Sequence, residues 1–205
     1  MPVINDDIFD ALNIGIEKES LRVLNNEISQ ISHNEELFGS ALTNQFITTD
    51  FSESQMEFVT PPLKTNSEAL NFLESIHLNV SKKIDEEILW PLSMPPFIDC
   101  DTDIPIAYYG ESEVAMLKRV YRLGLSNRYG RQMQAISGIH YNFSIDDKML
   151  RCLSSDDSLI DRDLRDSLYL GAIRNIARLN WLILYLFGAS PFVSKSILEK
   201  ENKNL

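Results

Sequence analysis

Cysteine is scarce in this chain. Its two thiols, Cys100 and Cys152, stand far apart and outside any CxxC spacing. That leaves no cysteine metal pattern, and the default reading is a cytoplasmic protein with reduced thiols. Long apolar runs are also missing. The longest, Trp181 to Phe187, falls far short of the about 20 residues that span a bilayer, so no membrane partner is expected. The start, Met1-Pro2-Val3-Ile4-Asn5-Asp6-Asp7, lacks the basic region and apolar core of a signal peptide. Basic charge is outnumbered, 19 Lys and Arg against 30 Asp and Glu, for a formal net charge of −11. An acidic surface repels a phosphate backbone, which argues against a nucleic-acid partner. It does not exclude nucleotides, because a bound divalent cation inverts the local sign. No internal repeat or low-complexity tract appears. What remains, 44% hydrophobic and 24% charged residues over 205 positions, reads as a single globular domain over 1–205.

The stretch Gly15-Ile16-Glu17-Lys18-Glu19-Ser20-Leu21-Arg22-Val23 carries the strongest signal. As a strand it alternates sides, so Glu17 and Glu19 share a face. Two carboxylates that close repel unless something positive sits between them, and a divalent cation with oxygen ligands answers that need. A solvated edge strand with surface glutamates is the other reading, and the stretch alone does not choose.

Two further strands repeat the arrangement. Phe46 to Phe51 is a β-branched and aromatic run with Asp50 at its end. Gln55 to Thr60 alternates, with Met56 and Phe58 on one side and Gln55 and Glu57 on the other, before Pro61-Pro62 stops it. Ala135 to Ser144 alternates most cleanly: Ile139, Tyr141 and Phe143 form an apolar face, and Gly138, His140, Asn142 and Ser144 a polar one. His140 is a potential metal ligand or a structural histidine.

Between the strands, helical spacing predicts helices over Ser67–Leu89, capped by Ser67 or Asn66, over Glu111–Arg128 with Gly130 as a stop, and over Leu164–Phe187 with Gly188 as its cap. A short helix is expected over Asn5–Leu12. A turn at Asn25-Asn26 should return a strand over Glu27–Ile31. His33 reads as a surface histidine, Lys82 to Glu87 as a solvated charge cluster, and Trp90 to Pro96 as an extended connector. Ile98 to Gly110 reads as a loop, either covering a site or spreading its aspartates in solvent. Asp146 to Asp163 reads as an acidic loop with or without a short helix, and Lys195 to Leu205 as a polar tail.

These stretches together resemble the proteobacterial glutamate–cysteine ligase family. The matching segments are Gly15 to Val23, Gly39-Ser40-Ala41-Leu42-Thr43, Ile47 to Phe51, Glu57-Phe58, Trp90-Pro91-Leu92-Ser93-Met94-Pro95, Tyr121-Arg122, Asn127-Arg128-Tyr129-Gly130, Ser137 to Phe143 and Leu186 to Pro191. They follow the family's order and spacing across nearly the whole chain.

The resemblance implies an α+β fold akin to glutamine synthetase, in which a curved antiparallel sheet forms a funnel with helices outside. It implies ATP-dependent ligation of the γ-carboxylate of glutamate to cysteine through γ-glutamyl phosphate, the first step of glutathione synthesis. It places Glu17, Glu19, Asp50, Glu57 and His140 at magnesium-binding positions, with Mn²⁺ as an alternative ion. Arg122 matches a glutamate-binding position, the one catalytic residue expected here. Phe51, Tyr121 and Gln134 match positions around a cysteine pocket. Four carboxylates and a histidine suit a hard cation, and a guanidinium can clamp a carboxylate in two bonds. Family members continue well beyond Leu205, so the chain reads as an N-terminal portion, inactive alone. A non-catalytic remnant or module needing a C-terminal segment is the alternative, and another carboxylate–amine ligase of the same fold is a third reading.

Overall fold

The computed structural model describes residues 12–153, 162–189 and 192. The helix expected over Asn5–Leu12 falls outside them except for Leu12, which opens a strand. The tail Lys195–Leu205 falls outside them too. The fold is α+β, as expected, on an open antiparallel sheet. Two compact units divide the chain, one built on Ile14–Asn142 and one on Phe143–Phe192.

The larger unit is organised by β1 (Leu12–Leu24), the longest strand. Along one edge it pairs with β4 (Gln55–Val59) and then β2 (Glu27–Ile28); β3 (Ile47–Thr49) continues the sheet beyond β4. On its other edge it meets β5 (Ile88–Leu89) and β6 (Ile139–Ile145). Asn25 and Asn26 adopt φ of 52° and 66°. That is the left-handed pair a two-residue hairpin requires, and asparagine tolerates it.

The two faces of β1 exchange character near Ser20. On the even-numbered face, Ile14 and Ile16 are buried with Met56, Phe58, Ala69, Leu73, Ile76 and Val80. On the odd-numbered face, Glu17 and Glu19 come first, and then Leu21 and Val23 enter a second cluster with Ile28, Phe51, Ile98, Ile104 and Ala135. Strand period fixes this: side chains alternate, so one apolar core lies behind the carboxylates and the other lies beyond them on their own side.

The first core is closed by α2 (Asn66–Ser81). Thr65 caps it, accepting from Glu68 N–H while the Glu68 carboxylate accepts from Thr65 N–H, a reciprocal capping box. The cap therefore falls one residue before the expected Asn66 or Ser67. The helix also ends eight residues before the expected Leu89. Asp85 takes φ of 48°, Ile84 turns into the core, and Ile88 and Leu89 are drawn off as β5 onto β1. Leu70 is exposed.

A buried ion pair replaces part of the expected solvated charge cluster. Arg22 and Glu87 are 3% and 8% exposed. Arg22 Nη1 donates to both Glu87 oxygens at 2.9 and 3.0 Å, and Nη2 donates to the carbonyls of Ile31 and Glu53. Removing one partner of such a pair costs about 3–5 kcal/mol. The returning strand β2 is only Glu27–Ile28, because residues beyond it turn to meet Arg22. His33 is not a surface group. Its Nε2–H donates to Gly39 O at 2.8 Å and its ring lies 5.8 Å from Phe38. Just after it, α1 (Glu35–Phe38) forms under an Asn34 cap.

The connector from Trp90 is not extended throughout: it bends over Leu92, Ser93 and Met94, where Trp90 Nε1–H donates to Met94 O at 2.8 Å. Ile98 to Gly110 packs inward, with Ile98, Ile104, Ala107 and Tyr109 buried around a 3-10 turn at Asp101–Asp103. Next come α3 (Glu113–Tyr129), capped by Ser112, and α4 (Arg131–Gln134). Gly130 between them takes φ of 78°. In the smaller unit α5 (Asp147–Leu153) and α6 (Arg162–Phe187) follow. The Tyr169 hydroxyl accepts from Ile145 N–H at 2.9 Å. Gly188 closes α6, where a Cβ would collide with the Leu184 carbonyl. Among the described residues no helix is long and apolar enough to cross a membrane.

Candidate functional site

The face of the sheet opposite α2 carries the carboxylates. Register puts Glu19 of β1 directly across from Glu57 of β4, with Thr48 of β3 on Glu57's far side. Like charges in that relation repel. Glu57 is pushed up to about 7, first by burial and then by the charges of Asp50, Glu17 and Glu19. Glu19 is raised as well, by burial above all, against the pull of the Gly138 N–H. At neutral pH the group therefore resists carrying its full negative charge, a cost that a bound cation would relieve.

β6 supplies the partners on the other edge. Glu17 accepts from His140 Nδ1–H at 3.1 Å through one oxygen and from Asn142 Nδ2 at 2.9 Å through the other. The Glu17 bond, before any other influence, raises His140 above its ordinary value. Glu19 accepts from Gly138 N–H at 2.7 Å and from Gln55 Nε2 at 3.3 Å. Gln55 is fully buried, also reaches Ser137 Oγ at 3.3 Å, and leaves its own Oε1 without a partner.

Asp50 follows β3, and α3 reaches it through Arg122. The Nε–H donates to the Asp50 carbonyl at 2.6 Å, Nη1 donates to Lys118 O, and Nη2 stands 4.0 Å from Asp50 Oδ1. The guanidinium stacks on the Tyr109 ring, 4.8 Å from its centre. The Tyr109 hydroxyl donates to Thr49 O at 2.6 Å. Arg122 thus spends Nε on the Asp50 turn and Nη1 on its own helix, with Nη2 turned toward the Asp50 carboxylate.

Of the residues singled out from sequence, Glu17, Glu19 and Glu57 share one sheet face, with His140 on Glu17. Asp50 and Arg122 meet each other, and the Asp50 charge is felt at both Glu19 and Glu57. Phe51 does not line an open pocket. It is 2% exposed inside the second core, in one cluster with Leu21 and Ile104. Tyr121 stands exposed on α3. Gln134 is half-buried at the end of α4. Sequence reasoning overlooked Gln55 and Asn142 as holders of the two glutamates. The period-2 pattern had put both on the polar faces, but a neutral amide there gives no signal by itself.

The donor chemistry fits a hard divalent cation: three carboxylates on one face, two of them raised, by burial above all, with an imidazole beside them. As they stand, among the described residues, no three His, Cys, Asp or Glu side chains are gathered closely enough to hold one ion. The reason is visible in the hydrogen bonds, since Glu17 is engaged by His140 and Asn142, and Glu19 by Gly138 and Gln55.

The fold is shared with solved structures. The crystal structure of the glutamate–cysteine ligase of Francisella tularensis in complex with AMP matches with a TM-score of 0.82 at 38% identity, over 91% of this chain and 37% of that one. A bifunctional glutathione synthetase from Pasteurella multocida matches with a TM-score of 0.78 at 34% identity, over 90% and 24%. The glutamate–cysteine ligase of Pseudomonas fluorescens is 47% identical over 194 residues, 93% of this chain and 36% of its own length. The family model described as glutamate–cysteine ligase matches residues 4–205. The chain belongs to the glutamate–cysteine ligase family, and it spans about a third of the length of the curated relatives it matches.

Proposed function

We propose that this chain supplies the metal-binding and part of the glutamate-binding surface of an ATP-dependent ligase that joins the γ-carboxylate of glutamate to cysteine. The observation that carries the reading is the opposed pair Glu19 and Glu57, with Glu57 pushed up to about 7 first by burial and then by its carboxylate neighbours. In this reading Glu17, Glu19, Asp50, Glu57 and His140 hold Mg²⁺ or Mn²⁺. A bound cation would neutralise phosphate charge and polarise the transferred group. Arg122 offers its Nη2 edge to the glutamate carboxylate, and Tyr121 and Gln134 border the cysteine amine's approach. Phe51, packed in the second core, fixes the turn that presents Asp50. His140, Asn142 and Gln55 orient the two β1 carboxylates until a cation displaces their hydrogen bonds. We place the reaction in the cytoplasm, where ATP and both amino acids are at hand.

Because the chain spans about a third of its relatives, it is read as a part that does not turn over alone. Given ATP, Mg²⁺, glutamate and cysteine, the 205-residue protein should release no phosphate above background. Clear turnover would overturn that view. Calorimetric titration with Mn²⁺ should show a binding heat that Glu57→Gln reduces at least tenfold in affinity. Equal affinity in that variant would remove Glu57 from the metal set.

A further inference from the structure

A surface helix ordinarily turns its apolar stripe toward the protein. Over its first half, α3 does the reverse. Its inward side carries Ala115, its only buried residue, together with Lys118 and Arg122 on the Tyr109 ring. Val114, Leu117 and Val120 recur every three residues, on the opposite side. They are 60%, 71% and 61% exposed. Ile139 and Tyr141 on β6 are exposed in the same unit, so the apolar face expected there to pack on a core is uncovered too. An uncovered ridge of large aliphatic side chains marks an interaction surface.

We infer that the ridge Val114–Leu117–Val120 is the seat of the ligase polypeptide that follows the region matched here. Length argues for that occupant: this chain matches 93% of itself but 36% of the Pseudomonas fluorescens ligase, so nearly two thirds of such a protein lies beyond it. Charge argues against a second copy. Apart from Glu113, every charged residue on α3 is basic, namely Lys118, Arg119, Arg122 and Arg128, and two such helices face to face repel. The inference rests on family membership and on exposure, not on the metal reading above.

Site-specific thiol labelling tests it, read by mass spectrometry of the individual peptides. Leu117→Cys in this chain should label as fast as a cysteine at exposed Leu70 on α2. In the full-length Pseudomonas fluorescens ligase, a cysteine at the position aligned with Leu117 should label at least 100-fold more slowly than in this chain, with the Leu70 equivalent unchanged. Amide hydrogen exchange over 113–129, in both unmodified proteins, should show the same contrast without any substitution. Equal labelling and exchange in the two proteins would overturn the inference. Concentration-dependent protection of α3 in this chain alone would also overturn it, in favour of self-association.

Discussion

α2 and α3 are nearly equal in length, 16 and 17 residues, and both carry aliphatic residues at helical spacing. α2 buries Ala69, Leu73, Ile76 and Val80 against β1 and β4. α3 buries Ala115 and turns Val114, Leu117 and Val120 outward. The same kind of pattern therefore serves two ends: on α2 it closes a core within this chain, and on α3 it waits for one. Periodicity reports that a helix has an apolar side. It does not report whether the partner for that side lies in the same stretch of sequence.

Stability measurements can break or sharpen this contrast. Ile76→Ala should cost the most, about 2–5 kcal/mol, because it empties a buried site under the sheet; the urea midpoint measures it, and a loss below about 1 kcal/mol would mean the α2 core is loosely packed. Thr65→Ala removes the capping box and should cost about 1 kcal/mol by the same assay.

A smaller effect should follow pH. His77 lies edge-on to Phe58, with ring centres 4.7 Å apart and its Nε2 buried without a partner. Burial, with Lys18 adding to it, lowers its pKa to about 4. Above pH about 6.5 the ring is neutral folded and unfolded alike, and nothing is lost. Between about 6.5 and about 4 the unfolded chain takes up a proton that the folded one refuses, so stability falls. Glu57, raised rather than lowered, pulls the other way over part of that range. The comparison is therefore wild type against His77→Gln, whose midpoint should decline less on acidification. Identical profiles would clear His77 of the role.

Leu117→Ala on α3 should change least, within about 0.5 kcal/mol. A loss as large as that of Ile76→Ala would show that α3's outer side is already packed.

Much of the sheet was readable before any coordinates, because period-2 alternation is a strict geometric rule. It put Glu17 and Glu19 on one face and Glu57 on the polar side of its strand, and the register joined them. Long-range pairing was not readable. Glu87 read as part of a solvated charge cluster, and only its meeting with Arg22 inside the fold makes an ion pair. Helix spacing ran through Ile84 and Ile88, yet β1 captured the latter as an edge strand, a tertiary demand that local spacing cannot carry. Ile139 and Tyr141 were read correctly as an apolar face and wrongly as a packed one. The candidate site divided in the same way: its charged members stood out, whereas Gln55 and Asn142 became noticeable only through the carboxylates they hold.

The exchange of faces along β1 gives the strand two independent checks on its alignment. A shift of one position would carry Glu17 and Glu19 beneath α2 and lift Ile14 and Ile16 into water, and further along it would swap Leu21 and Val23 with Ser20 and Arg22. Each half of the strand thus vetoes the misalignment on its own. A single-codon deletion between Ile14 and Val23 should be far more damaging than most substitutions there, because it sets the two halves at odds over which side is in.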